Sequence, residues 1–254
     1  MPKYRGIFPG TFTMGNVVCG FIAVLTTFEG NITTACWFVI LAGFLDALDG
    51  KIARLSGGGT QFGVELDSLA DFLSFGVAPA FLVYAIKFSS LGKWGWVPPI
   101  VFIMAAAYRL ARFNLLADTE EKRDFIGLPV PMAAVAVVGF IIFNYYLWDG
   151  LQYGEILISL IVLLSFLMVS QVQYDSLPDR FNTFPGRIKL IILIAAGIAV
   201  IFNPRLLLFP VVALYILFGM VRELYRLFYV GVGKVTAHNY RRRKDKGLDD
   251  NEQQ

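Results

Sequence analysis

Long apolar runs alternate with short polar connections along almost the whole chain, and the runs predict helices. Eight stretches, at 12–28, 35–54, 63–86, 95–116, 130–148, 153–173, 187–203 and 205–230, are dominated by apolar residues. Each is near the ~17–25 residues that a helix needs to cross a hydrocarbon layer. Apolar residues surround these stretches on every side rather than lining one stripe, as expected for helices that face lipid or a fully buried core. The pattern predicts an all-α, polytopic transmembrane bundle of about eight spans. The connections are too short for a second folded domain, so residues 1–236 read as one transmembrane unit. The charged segment 237–254, which ends RRRKDKGLDDNEQQ, reads as a disordered tail.

Composition agrees with this reading. Of 254 residues 57% are hydrophobic and 16% charged, where soluble domains carry roughly 25% charge. Nothing points to nucleic acid. An even number of spans puts both termini on one side. On that side fall nineteen Lys and Arg, against only Lys87, Lys93 and Arg205 on the other. The excess of basic residues on cytoplasmic loops places the termini in the cytoplasm of a cell-membrane protein. The first apolar stretch lacks a convincing small-residue cleavage site and reads as a retained span. Cys19 and Cys36 lie inside apolar spans and read as small packing residues. His238, the only histidine, lies in the tail with no partner arrangement for catalysis.

Against this apolar background the segment DALDGKIARLSGGGTQFGVELDSLAD, residues 46–71, stands out. If its two halves are helical, Asp46 and Asp49 share one face, as do Asp67 and Asp71. Ionisable groups at membrane depth are costly and mark function. Four carboxylates this close would repel one another, and a divalent cation resolves the repulsion. Hard oxygen ligands suit Mg²⁺ or Mn²⁺. Ser56 to Thr60 read as the turn joining the two helices.

The spacing D-x2-D-G-x2-A-R-x8-G-x3-D-x3-D is met in full by Asp46, Asp49, Gly50, Ala53, Arg54, Gly63, Asp67 and Asp71. It resembles the signature of the CDP-alcohol phosphatidyltransferases, membrane enzymes that move a phosphatidyl group from a CDP-linked lipid to an alcohol and release CMP. The resemblance implies that Asp46, Asp49 and Asp67 are metal ligands, with two ions expected. It matches Asp71 to the general base, which also touches metal. It puts the cytidine side of the donor against Gly50 and Gly63, and Arg54 suits its pyrophosphate. Thr13 and Asn16 carry over as nucleotide-side contacts. Further segments, PGTFTMGNVVCGF (9–21), FGVAPA (75–80), AAYRLARFN (106–114) and GLPVPMAA (127–134), resemble the serine-using branch of that family. That implies CDP-diacylglycerol and L-serine as substrates, with Arg109, Arg112 and Asn114 at the acceptor end. Gly127, Pro129 and Pro131 are expected to break the chain before the fifth span and shape that end. Glycerol 3-phosphate or an inositol phosphate is the alternative acceptor, and a homodimer stays open. An ion-coupled transporter is the competing class, but it needs acidic groups near the midplane rather than gathered at one end.

Overall fold

The computed structural model describes residues 7–55, 61–117, 127–170, 172 and 195–249, with the backbone alone for 7–9, 53–55, 116–117 and 227–249. Every regular element among them is helical. In lipid this is the expected solution, because an α-helix satisfies its own backbone groups where water cannot.

The chain begins with α1 (Ile7–Phe28) and α2 (Ile32–Leu55), two antiparallel helices packed along their length. The reversal between them is set by Gly30 at φ 82°. Its N–H bonds to the Thr27 carbonyl and that of Asn31 to Thr26, the paired bonds that close a helix C-terminus. The next predicted span, 63–86, is three segments: α3 (Gln61–Asp71), a π-helical turn (Phe72–Val77) and α4 (Ala78–Ile86). The Ala78 N–H reaches five residues back to the Leu73 carbonyl. Pro79 follows at once and has no N–H to continue an α-helical ladder, so the wider turn absorbs the missing bond. Two 3₁₀ turns kinked at Gly92 (φ 62°) fill Phe88–Trp96 and lead into α5 (Val97–Ala117).

Next come α6 (Val130–Trp148), α7 (Gly154–Val169), a short helix α8 (195–202) and α9 (Pro204–Asp249). Among the described residues six segments are long and apolar enough to cross a membrane, and α7 is a shorter apolar helix. Residues 187–194 of the predicted span at 187–203 lie outside the described residues, as do the turn Ser56–Thr60 and the last five residues. The charged stretch expected to be a disordered tail begins inside α9. The chain divides into two compact units, Met1–Ala213 and Leu214–Gln254.

Helix α6 is central to the first unit, with eleven of its residues buried. Ile141 on α6 and Phe75, Phe102, Leu157 and Leu164 on neighbouring elements are among the fully buried side chains. Phe21, Phe44 and Phe166 are more than half exposed, as suits surfaces turned to hydrocarbon. Cys19 and Cys36 are buried and unbridged, in keeping with a packing role.

The entry to α6 is pinned to the exit of α7. The Gly127 N–H bonds to the Val172 carbonyl at 2.9 Å and that of Leu128 to Leu167 at 3.1 Å. Gly127 has φ 85°, and a Cβ there would lie 2.6 Å from the Met168 carbonyl oxygen. No other residue fits that bend without displacing backbone. Pro129 caps α6 and Pro131 lies in its first turn, where a missing N–H costs nothing. At the opposite end of the helices, Lys87 and Glu155 form an ion pair at 3.0 Å between α4 and α7.

Candidate active site

The site is assembled where the last turns of α2 meet α3, against the first half of α1 and the last turns of α5. Asp46, on α2, and Asp67 and Asp71, on α3, each present a carboxylate oxygen, and the three oxygens lie within 4.8 Å of one another. The Asp46 and Asp67 carboxylates are close enough to share a hydrogen bond. Oxygens so close need a proton or a cation between them. This donor set, all hard oxygen and drawn from two helices, fits a divalent ion of the Mg²⁺ or Mn²⁺ type.

Asp49, the fourth aspartate of the spacing, stands apart from that group. It is 6% exposed, and one of its oxygens accepts a hydrogen bond from the Thr13 hydroxyl of α1. Its other oxygen, Oδ1, is buried without a hydrogen-bond partner. Three residues separate Asp49 from Asp46, so the two share a face but not a direction. Asp49 therefore meets α1 while Asp46 meets α3. Its charge still bears on both Asp46 and Asp67, and its orphaned oxygen is a further acceptor for a cation.

One turn along α1 from Thr13, the Asn16 side chain donates from Nδ2 to Asp71 Oδ1 at 3.2 Å. Both residues expected to touch the nucleotide, Thr13 and Asn16, are thus buried against acidic side chains, at 3% and 0% exposure. A second link follows, in which the Ser74 hydroxyl of the π turn donates to the Asn16 main-chain carbonyl at 2.9 Å. It is possible because residue 20 is glycine. A Cβ there would lie 2.2 Å from the Ser74 hydroxyl and 2.9 Å from its Cα.

The residues expected at the acceptor end divide among three settings. Arg109 is buried, its charge reaching Asp71. Its guanidinium lies 5.2 Å from the centre of the Phe113 ring, a cation–π contact. Arg112 is half-buried on α5. Asn114 is turned to α3, where it exchanges hydrogen bonds of 3.0 and 3.1 Å with Ser68 and approaches Glu65 at 3.5 Å. Of the glycines, Gly50 is exposed near the end of α2 and Gly63 is half-buried on α3. Arg54 is placed in the last turn of α2, but its side chain lies outside the described residues.

Ser74, Gly20, Ser68 and Glu65 are parts of this neighbourhood that the spacing of the motif does not show. Only Ser74 carries a sequence hint, as the single polar residue in the apolar run FLSFGVAPAF.

Comparison with known proteins agrees with this geometry. The profile of the family described as CDP-alcohol phosphatidyltransferase matches residues 7–169, which hold all four aspartates and every helix around them. A CDP-diacylglycerol–serine O-phosphatidyltransferase of Helicobacter pylori is 35% identical over 222 residues, covering 86% of this chain and 92% of the relative. One of the same name from Methanocaldococcus jannaschii is 35% identical over 179 residues, 70% of this chain and 78% of its own. An archaetidylserine synthase of Methanothermobacter thermautotrophicus is 36% identical over 170 residues, 65% of this chain and 68% of its own. The acidic cluster, the helices that hold it and the extent of these matches place the chain in the CDP-alcohol phosphatidyltransferase family.

Proposed function

We propose that this protein transfers the phosphatidyl group of CDP-diacylglycerol to the hydroxyl of L-serine, giving phosphatidylserine and CMP. The observation that carries this reading is the convergence of Asp46, Asp67 and Asp71 at one end of the bundle, in a chain similar over most of its length to serine-using relatives. These carboxylates, with the free oxygen of Asp49, hold Mg²⁺ or Mn²⁺, two ions by the family's pattern. When bound, such ions neutralise the pyrophosphate and make CMP a better leaving group.

The chain's own residues supply the rest. Gly50 and Gly63 let the nucleotide approach the backbone, and Arg54 meets the pyrophosphate. Arg112 grips the serine carboxylate through its two-pronged guanidinium. Asp71 takes the proton from the serine hydroxyl as its oxygen bonds to the phosphatidyl phosphorus and the bond to the departing CMP breaks. The site opens to the cytoplasm with both termini on that side, a reading supported by the distribution of nineteen basic residues against three. Residues 1–236 form the catalytic domain, with 237–254 as its charged extension.

Arg112→Lys tests the acceptor assignment, because Lys keeps the charge and the topology signal but loses the paired donors. The expected result is a KM for serine raised about tenfold, the loss of one charge-assisted hydrogen bond, with the KM for CDP-diacylglycerol nearly unchanged. Parent-like values of both constants exclude Arg112 from the acceptor site.

A further inference from the structure

We propose that Asn16 is a positioning residue for Asp71, setting the direction of that carboxylate from the neighbouring helix rather than touching the nucleotide. The inference rests on the reading of Asp46, Asp67 and Asp71 as the ion-holding group.

Three observations carry it. First, Asn16 is fully buried and its amide Nδ2 points at Asp71 Oδ1, 3.2 Å away. A carboxylate is an acceptor only, so the NH₂ end of the amide is the one it selects, and the bond fixes one oxygen of Asp71. The other oxygen is then free for the cluster it shares with Asp46 and Asp67. Second, the Asn16 Oδ1 is buried with no hydrogen-bond partner. An orphaned buried amide oxygen is destabilising, so packing alone does not account for an amide here, and what it contributes is the direction of its donor. Third, the main chain of Asn16 is itself held. Its carbonyl accepts from Ser74, three residues beyond Asp71, and Gly20 leaves room for that contact. Side chain and main chain of one residue thus grip the α3–π segment on both sides of Phe72 and Leu73. Thr13, three residues earlier on the same face of α1, holds Asp49 in the same manner.

Asn144 provides a matched comparison. It too is a buried amide whose Oδ1 lacks a partner, but its donor meets the Phe140 carbonyl of its own helix, toward the other end of α6. Asn16→Ala, Ser74→Ala and Asn144→Ala would be purified in detergent and stripped of metal. Mn²⁺ affinity would be read from the electron paramagnetic resonance of free Mn²⁺, beside thermal unfolding of each metal-free protein. Asn16→Ala is expected to weaken Mn²⁺ binding about tenfold, the scale for residues that orient metal ligands. Ser74→Ala is expected to weaken it in the same direction by about threefold, a smaller effect because the Asn16 side chain stays in place. Asn144→Ala is expected to lower the unfolding temperature and leave Mn²⁺ affinity at the parent value. Parent-like affinity in Asn16→Ala overturns the proposal while the metal assignment stands. Should Asn16→Ala not fold, parent-like affinity in Ser74→Ala overturns it equally. A parent protein that binds no Mn²⁺ overturns the metal assignment itself.

Discussion

Asp46→Asn and Asp67→Asn are each expected to reduce CMP release from CDP-diacylglycerol by more than about 10²-fold, since residues that merely orient metal ligands already cost 10–100-fold. Each substitution removes one of three carboxylate oxygens that lie within 4.8 Å of one another and changes volume very little. The companion expectation separates a ligand from a structural residue. In the absence of divalent ions the three acidic groups oppose one another, so replacing one by a neutral amide relieves repulsion. The metal-free variants should therefore unfold at a temperature no lower than the metal-free parent, and should gain less from added Mg²⁺ or Mn²⁺. Activity assays with thermal unfolding, with and without a chelator, check both parts. Near-parent turnover with unchanged metal dependence in either variant removes that residue from the ligand set.

Asp71→Asn is expected to lower kcat by about 10²–10⁴-fold, the usual range for loss of a general base, with a smaller effect on the KM for CDP-diacylglycerol. The contact from Asn16 can persist, because the oxygen of an asparagine at position 71 still accepts from Nδ2. The substitution therefore tests proton transfer more than position. Steady-state kinetics over both substrates decide the role. A loss of donor affinity equal to the loss in kcat would make Asp71 chiefly a metal ligand.

The carboxylates were legible in the sequence because a helix turns spacing into geometry. Residues three and four apart share a face, so 46 pairs with 49 and 67 with 71, and the four read as one pocket between two helices. Asp49 shows the limit of that rule. Its spacing from Asp46 gives the face, but whether it meets α3 or α1 depends on where a third helix packs, and Thr13 lies 36 residues away. The Asn16–Asp71 bond spans 55 residues and connects two helices for which no local pattern specifies a contact. Asn114 is similar: its place in AAYRLARFN suggested an acceptor contact, and no local pattern shows that its amide also meets Ser68 and Glu65 on α3. Apolar runs reported the membrane helices well, because length and hydropathy alone decide which segments can span. They did not show that 63–86 changes from α to π and back, since hydrophobicity does not record hydrogen-bond register. Only Pro79, with its missing donor, marks the place.

Transfer of phosphatidyl groups to serine is read most directly from the product lipid itself. Purified protein in detergent would be given CDP-diacylglycerol, Mn²⁺ or Mg²⁺, and equal concentrations of L-serine, glycerol 3-phosphate and an inositol phosphate, with CMP and lipid products quantified by mass spectrometry. The expected result is phosphatidylserine as the dominant lipid, formed one for one with CMP and abolished by a chelator. Phosphatidylglycerol phosphate or an inositol lipid as the main product, or no CMP at all, would contradict it.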